Sequence, residues 1–142
     1  MPVKTAKAIW EDNLKNGEGK VELESGLLKV PYSFSSRLKL GDGTNPEELI
    51  AGAQAGCFSM ALSMLLTRNG YTPDKIETEA SIQIEDKNGG YEITEIQLET
   101  ECKVPDIDEN KFKQLAIEAK NNCPVSKALQ GPIITLESKL IK

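Results

Sequence analysis

The 142 residues contain no histidine. That excludes a Ser-His or Cys-His nucleophile pair and any His-ligated zinc or haem. Aromatic residues are scarce, at 5%. Positive charge is also short: 17 basic against 22 acidic residues leaves a net charge of −5, so no nucleic-acid partner is expected. Cysteine is limited to Cys57, Cys102 and Cys123, spaced 45 and then 21 residues apart. No C-x-x-C occurs, which removes zinc ribbons and thioredoxin-type motifs. The odd, low count does not suit a disulfide-built secreted domain. Met1-Pro2-Val3-Lys4-Thr5 lacks the apolar run of a signal peptide. A cytoplasmic protein with reduced thiols is therefore expected. Its chemistry must come from cysteine, carboxylate, lysine, arginine, tyrosine and backbone groups, with no cofactor or metal.

What is present is a soluble globular mix, 39% hydrophobic and 27% charged, in a length that fits one domain spanning 1–142. Val3 to Trp10 is β-compatible, and Asn16, Gly17 and Gly19 mark a turn. Val21 and Leu23 alternate with Lys20, Glu22 and Glu24, the period of a half-buried strand. After Ser25-Gly26, Leu27 to Tyr32 completes an antiparallel meander. Farther on, Ile76, Thr78, Ala80, Ile82 and Ile84 alternate with polar residues. Asn88-Gly89-Gly90 signals a hairpin, and Ile96, Leu98, Thr100, Cys102 and Val104 form one face of the return strand. Asp108 caps a second helix, with Ile107 placed to staple onto Phe112. Cys123-Pro124 breaks that helix, a short helix over Val125 to Leu129 follows, and Ile133 to Ile141 closes the chain as a strand. The fold class is α+β, with antiparallel sheets packed around a long central helix.

That helix has the best-marked start in the chain. Gly41-Asp42-Gly43-Thr44 is a loop, Asn45 the N-cap, Pro46 the first helical residue, and Glu48 the partner of a capping box. Gly70 is the stop signal. From Leu49 through Thr67, 19 residues carry no charge. Gly52, Gln54, Gly56, Ser59, Ser63 and Thr67 interrupt the apolar run, so a buried helix is expected and not a membrane span. A helix apolar nearly all round must be covered on all sides. A chain this short has few elements to do so, which motivates a homodimer whose second copy covers the open face.

Cys102 falls on the apolar face of a strand and reads as a packing residue. Cys57, inside the charge-free helix, reads locally as either a core thiol or a reactive one. Cys123, at a helix break, reads as either a loop cysteine or a thiol served by helix-start N–H groups.

Longer stretches go further. Gly43-Thr44-Asn45-Pro46-Glu47-Glu48-Leu49-Ile50, then Ala55-Gly56-Cys57-Phe58-Ser59-Met60-Ala61-Leu62-Ser63, and finally Cys123-Pro124-Val125-Ser126 closely resemble the OsmC/Ohr family of cysteine-based hydroperoxide reductases. Ala8-Ile9-Trp10-Glu11, Gly17 to Val21, Glu24 to Leu28, and Pro31-Tyr32 through Phe34 to Arg37 resemble its osmotically inducible (OsmC) branch. The resemblance covers essentially the whole chain. It implies an intertwined homodimer that reduces organic hydroperoxides, and hydrogen peroxide more weakly. By the same resemblance Cys57 matches the peroxidatic cysteine, Cys123 the resolving one, Arg37 the active-site arginine, and Glu47 the glutamate that holds it. The implied reductant is a dithiol, such as a lipoylated or thioredoxin-like protein. Relatives often have Ala at Gly56, which costs at most about 1 kcal/mol of helix stability. The competing reading is a dimeric thiol redox sensor or ligand-binding stress protein that uses the same disulfide.

Elementary chemistry agrees with the assignment. The thiolate is the nucleophile, and a fixed guanidinium favours it. Attack on the peroxide gives a sulfenic acid, which a second thiol condenses to a disulfide. Phe58, Met60 and Phe34 are candidates to contact a carbon-bearing peroxide. Glu47 and Cys57 are ten residues apart, about 15 Å along a straight helix. That is too far for one compact site and suggests that Glu47 and Arg37 serve Cys57 of the other subunit.

Overall fold

The computed structural model describes residues 1–38, 43–131 and 133–142. Of the expected loop before the long helix, Gly41 and Asp42 lie outside the described residues. The chain divides into two compact units, Met1–Ile50 and Ala51–Lys142.

In the first unit, β1 (Ala6–Glu11), β2 (Glu18–Leu23) and β3 (Lys29–Tyr32) form the expected antiparallel meander, in the order β1-β2-β3. Gly19 is part of β2 and not of the turn, opposite Trp10 on one side and Tyr32 on the other. A Cβ there would meet the Ile9 carbonyl and the Tyr32 ring, so the third strand can close down only on a glycine. Helix α1 (Phe34–Leu38) follows. Its Ser36 Oγ donates to the Thr44 carbonyl, and Asn45 Nδ2 donates to the Ser36 carbonyl at 2.9 Å. These bonds tie α1 to the start of α2 (Pro46–Arg68).

Asn45 caps α2 as expected, its Oδ1 accepting from the Glu48 N–H at 2.8 Å. The reciprocal half of the capping box does not form. Glu48 Oε1 instead accepts from the Thr44 hydroxyl at 2.8 Å. A neutral hydroxyl next to the cap satisfies the carboxylate without the turn back to the Asn45 N–H. Beyond Arg68 the chain leaves the helix through Gly70, whose φ of +86° favours glycine.

The second unit holds the core. β4 (Lys75–Lys87) and β5 (Gly90–Lys103) form a long hairpin around Asn88-Gly89, both with positive φ, as a tight two-residue turn requires. Helix α3 (Glu109–Asn122) starts at Asp108, whose side chain accepts from the Lys111 N–H. Helix α4 (Pro124–Ala128) leads to β6 (Ile133–Ile141). Here the expectation of purely antiparallel sheets needs correction: β6 runs parallel to β5, with Glu95 opposite Ile133 and Lys103 opposite Ile141. The α3–α4 crossover returns the chain to the end where β5 began, and a strand added from there must run parallel.

Phe58, Leu62 and Leu66 of α2 pack with Leu98 and Cys102 of β5 and with Phe112, Leu115, Ala116 and Ala119 of α3. Ile107 and Phe112 join the same cluster, so the expected staple sits in the core. The opposite face of α2 is open: Gly52, Ala53 and Gly56 are exposed, as are Met60 (76%) and Met64 (47%). The second unit therefore covers only one side of the charge-free helix. By length and composition alone α2 could cross a membrane. Its buried face, however, is taken up by the core of the second unit.

Candidate active site

Two pairs of predicted site residues come together. Each pair is complete within its own compact unit.

The first is Cys57 with Cys123. Cys57 follows one turn after Gln54 on α2 and is half-buried. The break between α3 and α4 supplies Cys123. Its extended backbone (ψ 138°) ends α3, and Pro124 opens α4 with φ already suited to a first helical position. The Cys123 sulfur takes the capping role, accepting from the Ser126 N–H at 3.3 Å. It also lies 3.0 Å from the Ser126 hydroxyl and 3.8 Å from Gln54 Nε2. Cys123 is fully buried. Cys123 and the Val125 backbone N–H are neighbours of the Cys57 thiol. Burial pushes the Cys57 thiol above its ordinary value, the Val125 N–H pulls it down, and neighbouring Cys123 adds to the rise. No disulfide joins any of the three cysteines.

Cys102 is different. It is fully buried in the β5 face of the core, 3.4 Å from the Thr100 hydroxyl. Burial raises its thiol, and the Thr100 hydrogen bond opposes that. A third hydroxyl, Thr78, links Thr100 to Ser59 at 3.0 and 2.8 Å. This is the packing role expected for Cys102.

The second pair is Arg37 with Glu47. Arg37 Nε lies 3.0 and 3.1 Å from the two Glu47 carboxylate oxygens. The side chains are 24% and 12% exposed. The two side chains meet because the Ser36–Thr44 and Asn45–Ser36 bonds hold α1 against the first turn of α2. The guanidinium carbon sits 6.0 Å from the centre of the Phe34 ring, the outer limit of cation–π contact. Trp10, Leu14, Tyr32, Phe34 and Pro46 line an apolar hollow with Arg37 at its edge. The Trp10 and Tyr32 rings stand 5.4 Å apart in it.

Two expectations about the surroundings change. Phe58 is fully buried in the core and cannot face a substrate: it lies on the α2 face that packs on β5 and α3. Met60 points instead to the open face. Conversely, Gln54 and Ser126 stand against Cys123, a placement that no sequence expectation included. The sequence signal for Gln54 is slight, an amide three residues before a cysteine in an uncharged helix; its burial shows only in the fold.

Two neighbouring cysteines, one on a core helix and one at a helix break, give an α+β protein with a candidate dithiol site. Comparison with known proteins gives the family. Residues 39–137 match the family model described as OsmC-like protein. The chain is 45% identical over 138 residues to Peroxiredoxin OsmC of Escherichia coli, covering 96% of each. It is 32% identical over 124 residues to the organic hydroperoxide resistance protein OhrB of Bacillus subtilis, covering 85% of this chain and 89% of the relative. In three dimensions it resembles an OsmC-like protein from Mycoplasma pneumoniae (TM-score 0.79, 16% identity, 99% of each chain), a likeness of fold alone. The chain belongs to the OsmC-like family.

Proposed function

We propose that the protein is a thiol peroxidase that reduces organic hydroperoxides and, more weakly, hydrogen peroxide. The observation that carries this reading is that Cys57 and Cys123 are neighbours within one unit, in a family whose members include a peroxiredoxin and hydroperoxide resistance proteins. The Cys57 thiolate attacks the terminal peroxide oxygen. The O–O bond breaks, the sulfur is oxidised to sulfenic acid, and the alkoxide leaves and takes up a proton as alcohol. Cys123 then displaces the sulfenic oxygen as water and closes a Cys57–Cys123 disulfide. A dithiol, from a lipoylated or thioredoxin-like protein, returns both thiols.

Arg37 supplies the positive charge that the Cys57 thiol needs, since burial alone disfavours its thiolate. Glu47 holds the guanidinium in place. The ten-residue spacing of Glu47 and Cys57 on α2 and the open apolar face of that helix support a homodimer in which Arg37 of one copy serves Cys57 of the other. The hollow lined by Trp10, Tyr32 and Phe34 suits the carbon part of the peroxide. In this reading residues 1–142 act as one domain in a reducing, cytoplasmic setting.

The test is steady-state turnover of cumene hydroperoxide with a dithiol reductant. Sustained consumption that disappears in Cys57→Ser supports the proposal. A single round of oxidation without recycling, in the presence of lipoyl and thioredoxin-type dithiols, overturns it in favour of a redox sensor.

A further inference from the structure

The peroxidase reading assigns roles to Cys57, Cys123, Arg37 and Glu47 and leaves Gln54 without one. Gln54 is fully buried in the second unit. Its Nε2 donates to the Ser126 hydroxyl at 2.8 Å and lies 3.8 Å from the Cys123 sulfur. Its own carbonyl oxygen, Oε1, is buried without a hydrogen-bond partner among the described residues. A buried acceptor left unpaired is costly, and a leucine or methionine would avoid that cost. An amide kept there for its N–H alone needs a reason beyond packing.

The geometry supplies one. Gln54 and Cys57 are three residues apart on α2 and so share a helix face. Ser126 Oγ accepts the Gln54 N–H at 2.8 Å and lies 3.0 Å from the Cys123 sulfur. The Ser126 backbone N–H reaches the same sulfur at 3.3 Å. The amide fixes the otherwise free rotation of the Ser126 hydroxyl, and the hydroxyl together with the N–H fixes the sulfur. Because Cys123 is fully buried, these are the groups that can hold it on a line toward Cys57.

We propose that Gln54 is a positioning residue for the resolving step, acting through Ser126 to aim Cys123 at the Cys57 sulfenic acid. This rests on the peroxidase reading. The step is a balanced condensation: the Cys123 sulfur bonds to the Cys57 sulfur, and the S–O bond breaks. The oxygen leaves as water with the proton released by the Cys123 thiol. Gln54 takes no part in the attack on peroxide.

The experiment follows one oxidation event in the reduced full-length protein, using one equivalent of cumene hydroperoxide and no reductant. A dimedone-type trap reports Cys57 sulfenic acid, and alkylation of free thiols reports disulfide closure. Gln54→Met keeps the volume and removes the hydrogen bonds. Expected are closure slowed at least about tenfold and sulfenic acid formation changed less than about threefold, since loss of aim acts on one step only. Ser126→Ala should slow closure similarly, and the double variant should be no slower than Ser126→Ala alone, because the two act in series. Closure of Gln54→Met at the wild-type rate overturns the proposal, as does a fully additive double variant. If Gln54→Met does not fold, wild-type closure in Ser126→Ala overturns it equally. A wild-type protein that forms no sulfenic acid fails the peroxidase reading itself, and this inference with it. A wild type that closes normally beside an equally fast Gln54→Met fails this inference alone.

Discussion

Cys123 is fully buried, its sulfur fixed by Ser126 and Gln54 from two elements, whereas Arg37 keeps about a quarter of its side chain in solvent and leans on the Glu47 carboxylate. The thiol pair is assembled from long-range contacts, between a core helix and a helix break some seventy residues away in sequence. The charge pair is assembled locally, from two helix ends joined by Ser36, Thr44 and Asn45. Under the proposed function, one region would supply the nucleophile and its resolving partner, and burial there pushes the Cys57 thiol up. The other would supply a preset cation, so the proposed function needs both.

The largest effect is expected at Cys57. Cys57→Ser should lower kcat/KM for cumene hydroperoxide by at least about 10^3-fold, the scale of losing a nucleophile. Cys123→Ser should retain the first half-reaction and accumulate sulfenic acid, visible by trapping.

Next in size is the charge pair. Arg37→Met should cost about 10- to 100-fold in kcat/KM at neutral pH, the scale of losing a nearby charge that favours the thiolate. The sign is fixed by the chemistry. Removing a cation disfavours the thiolate, so the midpoint of Cys57 alkylation by iodoacetamide moves to higher pH, and the deficit narrows as pH rises. A midpoint that stays put would separate Arg37 from Cys57. Glu47→Gln should move it the same way by less.

Mixing Cys57→Ser with Arg37→Met chains sharpens the comparison further. If the regions of opposite subunits cooperate, each heterodimer rebuilds one intact site, and activity returns to about half the wild-type value per dimer, the share expected of independent sites. No recovery in verified heterodimers would place both pairs in one chain.

The smallest effect belongs to the third thiol. Cys102→Ala should leave kcat/KM within about twofold and cost about 1 kcal/mol in urea unfolding, the loss of a small buried group. A large activity loss would give Cys102 a redox role that its place among Leu98, Phe112 and Thr100 does not suggest.

Legibility in the sequence followed how local each feature is. The Asn45 and Asp108 caps, the Asn88-Gly89 turn, the Gly70 stop and the alternating strands depend on residues within a few positions, and they form as read. The parallel pairing of β6 depends on where a crossover ends, which no local period records. Glu48 turned to Thr44 because two acceptable partners stood within reach. The pairing of Arg37 with Glu47 and the nearness of Cys57 to Cys123 were legible through motif resemblance. Gln54 was not, because an uncharged polar residue inside an apolar helix looks the same whether it faces solvent or a sulfur. Phe58 misled for the converse reason: adjacency to Cys57 in sequence places it on the next helix face, which here is the core.

The most direct test is to oxidise the fully reduced protein with one equivalent of cumene hydroperoxide and map the product by mass spectrometry. Expected are a mass lower by two hydrogens, a single cross-link between Cys57 and Cys123, and unmodified Cys102. A product in which Cys57 stays reduced, or is linked to anything other than Cys123, would overturn the proposed function.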